Sequence, residues 1–300
     1  MTIPEEVLKN YRWAGKIAAE VRNETRGFVK EDMPIIDLCQ KVESTIEKKG
    51  GKPAFPCNVS INEIAAHYTS PPKDKRLIPE NSIVKVDIGV HIDGYIADTA
   101  VTICFNPEYE SLVHTTEEAL EKAIETLRPG LSISHFGSAI EKTISSRGFK
   151  PISNLTGHQL GRYLVHTGRA LPNVSHLSFS KISEGEIYAV EPFVTVADAV
   201  GKVRNEPEAY IFRLMKQKSL RDPHARRLSL HIQRNFRTLP FTERWLGGCV
   251  PQSHYKIAFS ELLSSKSLMP YPVFVEASGK PVAQAEHTVL IVKDGCLVLT

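Results

Sequence analysis

The chain of 300 residues carries the same short patterns twice, in the same order. The stretch VESTIEKKGGKP (42–53) resembles IEKTISSRGFKP (140–151), which lies 98 residues later, and six of the twelve positions are identical. The stretch ENSIVKVD (80–87) resembles EGEIYAVE (184–191) at an offset of 104. Repetition at this scale predicts a chain built from two related halves.

A third match pairs ADTAV (97–101) with AEHTV (285–289), at an offset of 188. Each half shows two helical patterns followed by strand patterns. The helical periodicity covers residues 6–21, 35–49, 116–127 and 133–147, and the apolar or alternating runs cover 83–90, 96–104, 186–190 and 286–292. Helices and antiparallel hairpins in separate blocks predict an α+β fold with two pseudo-symmetric halves.

The two halves differ in length between the second and third matches. Ten residues separate Asp87 from Asp98, whereas 94 separate Glu191 from Glu286. The second half therefore holds about 84 extra residues. Within a single domain spanning residues 1–300, we expect an inserted, mainly helical subdomain at residues 206–270, with helices near 226–236 and 255–264.

The inserted segment is basic. Residues 213–244 contain nine Lys or Arg and only two acidic residues. A solvated surface is one interpretation of such a stretch, and a contact with a polyanion such as ribosomal RNA is the other. The second interpretation predicts a salt-sensitive association with the ribosome.

Composition excludes several other classes of protein. Hydrophobic residues make up 42% and charged residues 24% of the chain, which is typical of a globular protein that buries its own core, so we expect a monomer. No apolar run approaches the ~20 residues of a membrane span, and the start lacks a signal-peptide pattern. The five cysteines are scattered without a CxxC motif, which favours a reducing, cytoplasmic location. The formal charge of +3 gives no indication of DNA binding.

Two carboxylates are predicted to lie side by side on one hairpin. Asp93-Gly94 is a two-residue turn signal between apolar strands. With that turn Gly89 faces Asp98, and Asp87 lies two residues from Gly89 on the same face. The two acids are then diagonal neighbours roughly 7–8 Å apart. Like charges on a buried face are costly unless a cation offsets them, although a wrong register would make one of them a surface residue.

The repeat strengthens the case for a cation. Asp87 matches Glu191 and Asp98 matches Glu286, so all four equivalent positions carry an acid in otherwise apolar strands. Two divalent cations would neutralise these four carboxylates. Two metals sharing a water form a hydrolytic device that lowers the pKa of that water and stabilises a tetrahedral intermediate. Oxygen-rich ligands without thiolate favour Co, Mn, Fe(II) or Zn.

Three histidines complete the candidate site. His67 follows the apolar run 64–66, His158 follows Gly157, and His166 lies eight residues further on. On an extended segment His158 and His166 would share a face. One histidine could supply a nitrogen ligand and the others could donate to a developing oxyanion, but spacing does not say which.

Six ordered segments resemble one known family. They are KPAFP (52–56), SINEIAAHYT (60–69), DIGVHIDGYIAD (87–98), GH (157–158), AVEP (189–192) and AQAEHT (283–288). Together they are similar to type II methionine aminopeptidases over essentially the whole chain, and the archaeal form fits best. The resemblance implies the pita-bread fold, in which two pseudo-symmetric halves of antiparallel sheet and helices surround a dinuclear metal site. The long insertion is typical of type II.

The resemblance also implies roles for individual residues. The metal ligands are expected to be Asp87, Asp98, His158, Glu191 and Glu286, with Asp98 and Glu286 bridging both ions. Glu191 would also accept a proton from the attacking water, while His67 and His166 would steady the scissile carbonyl and the departing amine. The substrate pocket is expected to include Phe55, His67, Val165, His166 and Tyr271. The chain departs from the usual family residues at two positions: Ala285 stands in place of an aromatic residue and Thr167 in place of alanine. Both positions bear on the shape of that pocket.

The function implied by the resemblance is removal of the initiator methionine from nascent proteins with a small second residue, by attack of a bridging hydroxide on the scissile carbonyl. Two alternatives use the same fold. A proline-specific aminopeptidase or dipeptidase carries an additional N-terminal domain, whereas helices begin here within the first ten residues. A non-enzymatic ribosome- or RNA-binding relative would lose metal ligands, whereas all five are present in this chain.

Overall fold

The computed structural model describes residues 3–300 as an alternation of long helices and mainly antiparallel strands. The helices are α1 (Glu5–Phe28), α2 (Ile35–Lys48), α3 (Glu110–Thr126), α4 (Ile133–Ser146), α5 (Pro223–Phe236) and α6 (Gln252–Ser264). The strands of the first half are β1 (Lys52–Pro53), β2 (Asn58–Ile61), β3 (Ile64–Ala66), β4 (Ile83–Ile92) and β5 (Tyr95–Cys104). Those of the second half are β6 (Lys150–Pro151), β7 (Thr156–Gln159), β8 (Ala170–Pro172), β9 (Ile187–Val190), β10 (Phe193–Thr195), β11 (Val203–Leu214), β12 (Leu268–Glu276), β13 (Val282–Gln284), β14 (His287–Val292) and β15 (Gly295–Val298).

Each half packs a pair of helices against its own strands. In the first half the buried faces of α1 and α2 meet the apolar side chains of β4 and β5 in one core. In the second half α3 and α4 cover β9, β10 and β14 in another core. The predicted helices and strands of both halves are present, with ends that differ by a few residues. The prediction of an α+β fold is confirmed.

The internal repeat is visible in strand pairing. After α2 the chain passes Gly50 (φ +88°), and after α4 it passes Gly148 (φ +80°). Only glycine adopts this left-handed conformation without strain, so both helices end in the same way. Lys52 then pairs with His91 in the first half, and Lys150 pairs with Thr195 in the second. These partners are related by the offsets of 98 and 104, so the halves share one ladder register.

The two halves are joined along β5. Ala100 of β5 forms a bridge with Glu286, between β13 and β14. Hydrogen bonds flank this bridge: the Thr102 hydroxyl donates to the Gln284 carbonyl at 2.6 Å, and the Asp98 amide donates to the Thr288 hydroxyl at 2.7 Å. The acid-bearing strands of the two halves therefore meet in the middle of the molecule.

The inserted segment has a core of its own. Side chains of α5 and α6 pack with Phe212, Phe241 and Leu268 into a separate buried cluster. The predicted limits, residues 206–270, lie within β11 and β12, which pair with each other over most of their length. Strand β12 also pairs with β3, which ties the segment to the first half. That residues 206–270 form a distinct subdomain stays a prediction.

No helix within residues 3–300 combines the length and the apolar character needed to cross a bilayer.

Candidate metal centre

The hairpin of β4 and β5 has the register that its turn predicts. Ile92 pairs with Tyr95, and Gly89 pairs with Asp98, so Asp87 and Asp98 are diagonal neighbours on one face. Asp93 and Gly94 both have positive φ, of +48° and +85°. This is the backbone geometry of the Asp-Gly turn that sets the register.

The other two acids lie at a break in a second ladder. Val190 pairs with His287 on one side of the break and Phe193 pairs with Gln284 on the other. That register puts Glu191 opposite Glu286. The second pair of acids is therefore directly opposed, whereas the first pair is diagonal, and the repeat is inexact by two residues at this point.

His158 brings a nitrogen to these carboxylates. It lies in β7, where its Nε2 is 3.7 Å from Asp98 Oδ2 and 3.3 Å from Glu191 Oε1. Ligand atoms of Asp98, His158 and Glu286 all lie within 4.8 Å of one another, which is close enough to surround one ion. All five predicted metal ligands line the same small cavity.

The electrostatics of the site fit a resident cation. Burial raises the pKa of Asp87 to about 7, and burial together with the neighbouring carboxylates raises the pKa of Asp98, Glu191 and Glu286 well above the ordinary range. Burial, with His166 nearby, holds the pKa of His158 well below its usual value, so its ring is neutral. Asp87 Oδ1 and Asp98 Oδ1 are buried and have no hydrogen-bond partner in the described part of the chain, residues 3–300. Cations bound here would satisfy these oxygens and remove the cost of burying four acids.

Two amide side chains orient the carboxylates. Asn58 Nδ2 donates to Asp87 Oδ2 at 3.3 Å. Gln284 Nε2 lies 3.4 Å from Glu191 Oε2 and 3.4 Å from Glu286 Oε2. Such partners position ligands and tune their basicity. The sequence reasoning missed both, although Gln284 lies two residues before Glu286 and hence on the same strand face.

His67 lies in the wall of the same cavity. Its backbone is left-handed (φ +65°), an unusual conformation for a histidine. The Nδ1–H donates to the Pro272 carbonyl at 3.3 Å, and the ring packs on Phe274 with centroids 4.5 Å apart. Burial lowers the pKa of His67 to about 4, with a smaller contribution from His166. A neutral ring with its proton on Nδ1 presents the Nε2 lone pair to the cavity.

His166 lies beside His158, but not for the reason that spacing suggests. The expectation of one extended segment is wrong. Strand β7 ends at Gln159, and the chain turns back through a bridge between Gly161 and Leu164 until the Thr167 amide donates to the Gln159 carbonyl at 3.2 Å. The rings of His158 and His166 come within 4.2 Å because of this reversal. Burial lowers the pKa of His166 to about 4.

The remaining predicted pocket residues surround the same cavity, whose volume is about 60 Å³. Phe55, Val165 and Tyr271 are all buried and form its apolar wall. Four lining residues were not predicted: Asn58, Ala66, Ile211 and Pro240. Ile211 and Pro240 belong to the inserted segment, which therefore closes the site from one side.

Gly89 is needed for the position of Phe55. A Cβ at residue 89 would lie 2.3–2.7 Å from three atoms of the Phe55 ring, which real contacts do not allow. We expect Gly89→Ala to displace Phe55 and to raise the KM for a methionyl peptide about 10-fold, since overpacking costs about 1–3 kcal/mol. The measurement is steady-state kinetics on Met-Ala-Ser. Gly27→Ala is the matched control, because no atom lies within 4 Å of its added Cβ. An unchanged KM in Gly89→Ala would contradict this role of Phe55.

Comparison with known proteins identifies the family. A model described as metallopeptidase family M24 matches residues 9–212. The chain belongs to metallopeptidase family M24. The methionine aminopeptidase of Methanothermobacter thermautotrophicus is 43% identical over 298 residues, which cover 98% of this chain and 99% of that protein. The methionine aminopeptidase of Thermococcus kodakarensis is 44% identical over 288 residues, which cover 96% and 97%. These relatives confirm the predicted resemblance and the assignment to the methionine aminopeptidase class of enzyme.

Solved structures confirm the fold. The methionine aminopeptidase of Thermotoga maritima superposes with a TM-score of 0.72 at 24% identity, covering 100% of this chain and 98% of that one. A structure described as a thermophilic Arx1 superposes with a TM-score of 0.84 at 20% identity, covering 99% and 91%. The prolidase of Pyrococcus furiosus has a TM-score of 0.62 at 16% identity, and the match covers 99% of this chain but 64% of that one. At these identities the likeness supports the pita-bread fold only.

Proposed function

We propose that this M24 enzyme removes the N-terminal methionine from peptides and nascent proteins whose second residue is small. The observation that carries the proposal is the convergence of the five predicted ligands with two neutral histidines and an apolar wall in one buried cavity. The archaeal relatives named methionine aminopeptidase support the choice of methionine.

Two divalent metal ions are proposed as cofactors. Asp87, Asp98, His158, Glu191 and Glu286 would hold them, and carboxylate and imidazole ligands suit Co, Mn, Fe(II) or Zn. The unpartnered oxygens of Asp87 and Asp98 support this donor set. When bound, two such ions would lower the pKa of a water molecule and stabilise negative charge developing on the carbonyl oxygen.

The protein groups around the reacting bond then have separate tasks. Glu191 would take a proton from the attacking water on a carboxylate oxygen and return it to the departing amine. His67, with its proton committed to the Pro272 carbonyl, would accept a hydrogen bond from the scissile amide through Nε2. His166 would place a ring N–H near the scissile carbonyl.

The apolar wall would select the side chain. Methionine is unbranched and adaptable, and it packs well on aromatic rings such as Phe55 and Tyr271. Both rings are buried and line the cavity. A pocket closed behind the methionine would admit only a residue at the start of a chain, which is the physical basis of exopeptidase action.

A substrate panel tests the proposal. Purified protein loaded with Co or Mn should release methionine from Met-Ala-Ser at least about 100-fold faster, in kcat/KM, than it releases leucine from Leu-Ala-Ser. It should not cleave an Xaa-Pro dipeptide at a comparable rate. Metal content, measured by elemental analysis, is the control for correct loading. A well-metallated protein that releases no methionine would defeat the proposal, and faster cleavage of Xaa-Pro would favour the proline-specific alternative.

The ribosome contact remains a proposal. The basic surface available for it is smaller than the sequence suggests. Of the nine basic residues in 213–244, Arg244 forms a buried ion pair with Glu43, with 2.8 Å between Nη2 and Oε1. Exposed basic residues remain on α5 at Arg226, Arg227 and Arg234. A face of this kind fits a nascent-chain enzyme that works near ribosomal RNA in the cytoplasm.

A further inference from the structure

A guanidinium group stands at the rim of the proposed active site and has no role in the reaction described above. Ile211 pairs with Tyr271 and Arg213 pairs with Met269 in the ladder of β11 and β12. Side chains two residues apart on a strand share a face. Ile211 and Tyr271 line the cavity, so Arg213 lies on the cavity face of β11, one step beyond Ile211.

The charge of Arg213 is not neutralised by the protein. Within residues 3–300 it forms no salt bridge with a carboxylate. Among the residues that the structure describes, no group accepts a hydrogen bond from its buried Nε, and its Nη2 contacts only a weak acceptor, Met215 Sδ, at 3.3 Å. A half-buried cation whose donors are unused is costly unless a bound group supplies the acceptor.

The charge of the Arg213 guanidinium affects the pKa values of residues in the proposed active site. Burial is the main cause of the low pKa of His166, and the charge of Arg213 lowers it further. Burial raises the pKa of Tyr271, and Arg213 opposes that rise. Both effects agree with the strand register, which directs Arg213 toward these two residues.

We propose that Arg213 is a specificity-determining residue that binds a carboxylate of the substrate beyond the scissile bond. The inference rests on the proposed function. The α-amine of the substrate is a cation and would be repelled by Arg213, and a methionine side chain offers only a weak acceptor. The part of the substrate that can carry an anion is therefore the part after the methionine. Arginine binds carboxylates through two parallel hydrogen bonds, which gives both affinity and orientation.

Two peptide pairs distinguish the sources of that carboxylate. The first pair is Met-Ala-Ser and its C-terminal amide, which differ only in the terminal charge. The second pair is Met-Ala-Asp amide and Met-Ala-Asn amide, which differ only in a side-chain charge. The metal-loaded enzyme should show a KM about 10-fold lower for the charged member of at least one pair, because a charge-assisted hydrogen bond contributes about 1.5–3 kcal/mol. The kcat should change by less than about 3-fold, since the contact is the same in the ground state and the transition state.

Arg213→Gln should abolish that difference, and Arg213→Lys should keep part of it. Arg128→Gln is the matched control, since Arg128 is exposed just after α3 and away from the cavity, and it should keep the full difference. A wild-type enzyme with equal KM values within both pairs would overturn the inference without any variant, as would an unchanged preference in Arg213→Gln. Failure of the proposed function is a separate outcome, because it would appear as absence of methionine release from all four peptides.

Discussion

Asp98→Asn is expected to reduce methionine release by roughly 10⁴-fold, the scale seen when one member of a catalytic unit is lost. Asp98 is nearly fully buried, lies 3.7 Å from His158 Nε2, and belongs to the group whose ligand atoms fall within 4.8 Å of one another. An amide keeps the shape of the side chain but removes the negative charge that holds a cation. The measurements are kcat/KM on Met-Ala-Ser and metal content by elemental analysis.

Asp93→Asn is the control for that experiment. Asp93 lies in the turn of the same hairpin, with an exposed side chain, and asparagine tolerates its left-handed backbone as well as aspartate does. Activity in Asp93→Asn should stay within about 2-fold of wild type, since surface substitutions outside special sites have small effects. Activity of Asp98→Asn close to that of Asp93→Asn would contradict the dinuclear site.

The second expectation concerns the protein stripped of metal by a chelator. The pKa of Asp87 is about 7 in the folded chain, against an ordinary value of 3.8. A raised acid pKa means that its contribution to stability is present below pH 3.8 and is lost as the pH rises through about 7. Asp87→Asn has no charge to lose. The stability gap between metal-free Asp87→Asn and metal-free wild type should therefore widen from pH 5 to pH 7, by roughly 2 kcal/mol.

That comparison removes the titrating groups outside the acid cluster. Burial lowers the pKa of His67 and of His166 to about 4, and that of Lys85 to about 7. These groups make stability depend on pH in the opposite direction, but they are present in both proteins and cancel. The other three acids do not cancel, because burial raises their pKa values and the charge of Asp87 raises them further, and this coupling widens the gap in the same direction. The expected widening is about 4–8 °C in Tm, measured by thermal unfolding. Added Mn²⁺ should then stabilise wild type more than Asp87→Asn, because ligand binding to the folded state adds stability. A gap that is constant with pH would show that the folded state does not raise the pKa of Asp87.

Local patterns allowed much of the fold to be predicted. Amphipathic helices follow from apolar residues spaced three and four apart, and the ends of α2 and α4 follow from Gly50 and Gly148. The Asp93-Gly94 turn determines the relation of Asp87 to Asp98, because a two-residue turn leaves one register for the strands that flank it. These features depend on residues that are neighbours along the chain.

Other parts of the site depend on contacts between distant segments. The reversal that brings His166 to His158 follows a strand that ends at Gln159. No periodicity in the sequence predicts this reversal. The orienting amides of Asn58 and Gln284 acquire their partners only when separate strands meet. In the sequence, Arg213 is only one of the charges in a basic stretch. Its position on the cavity face follows only from the pairing of β11 and β12.

The sequence by itself determined the duplicated plan and the four acids, since these are matters of residue type and short-range spacing. The resemblance to a known family added His158 to the expected ligands. Only the tertiary structure decided how Glu191 and Glu286 oppose each other, how the inserted segment closes the cavity, and which basic side chain lies on the cavity face of β11. The physical reason is that packing between elements far apart in the chain is set by shape and burial over the whole molecule, and no local pattern encodes it.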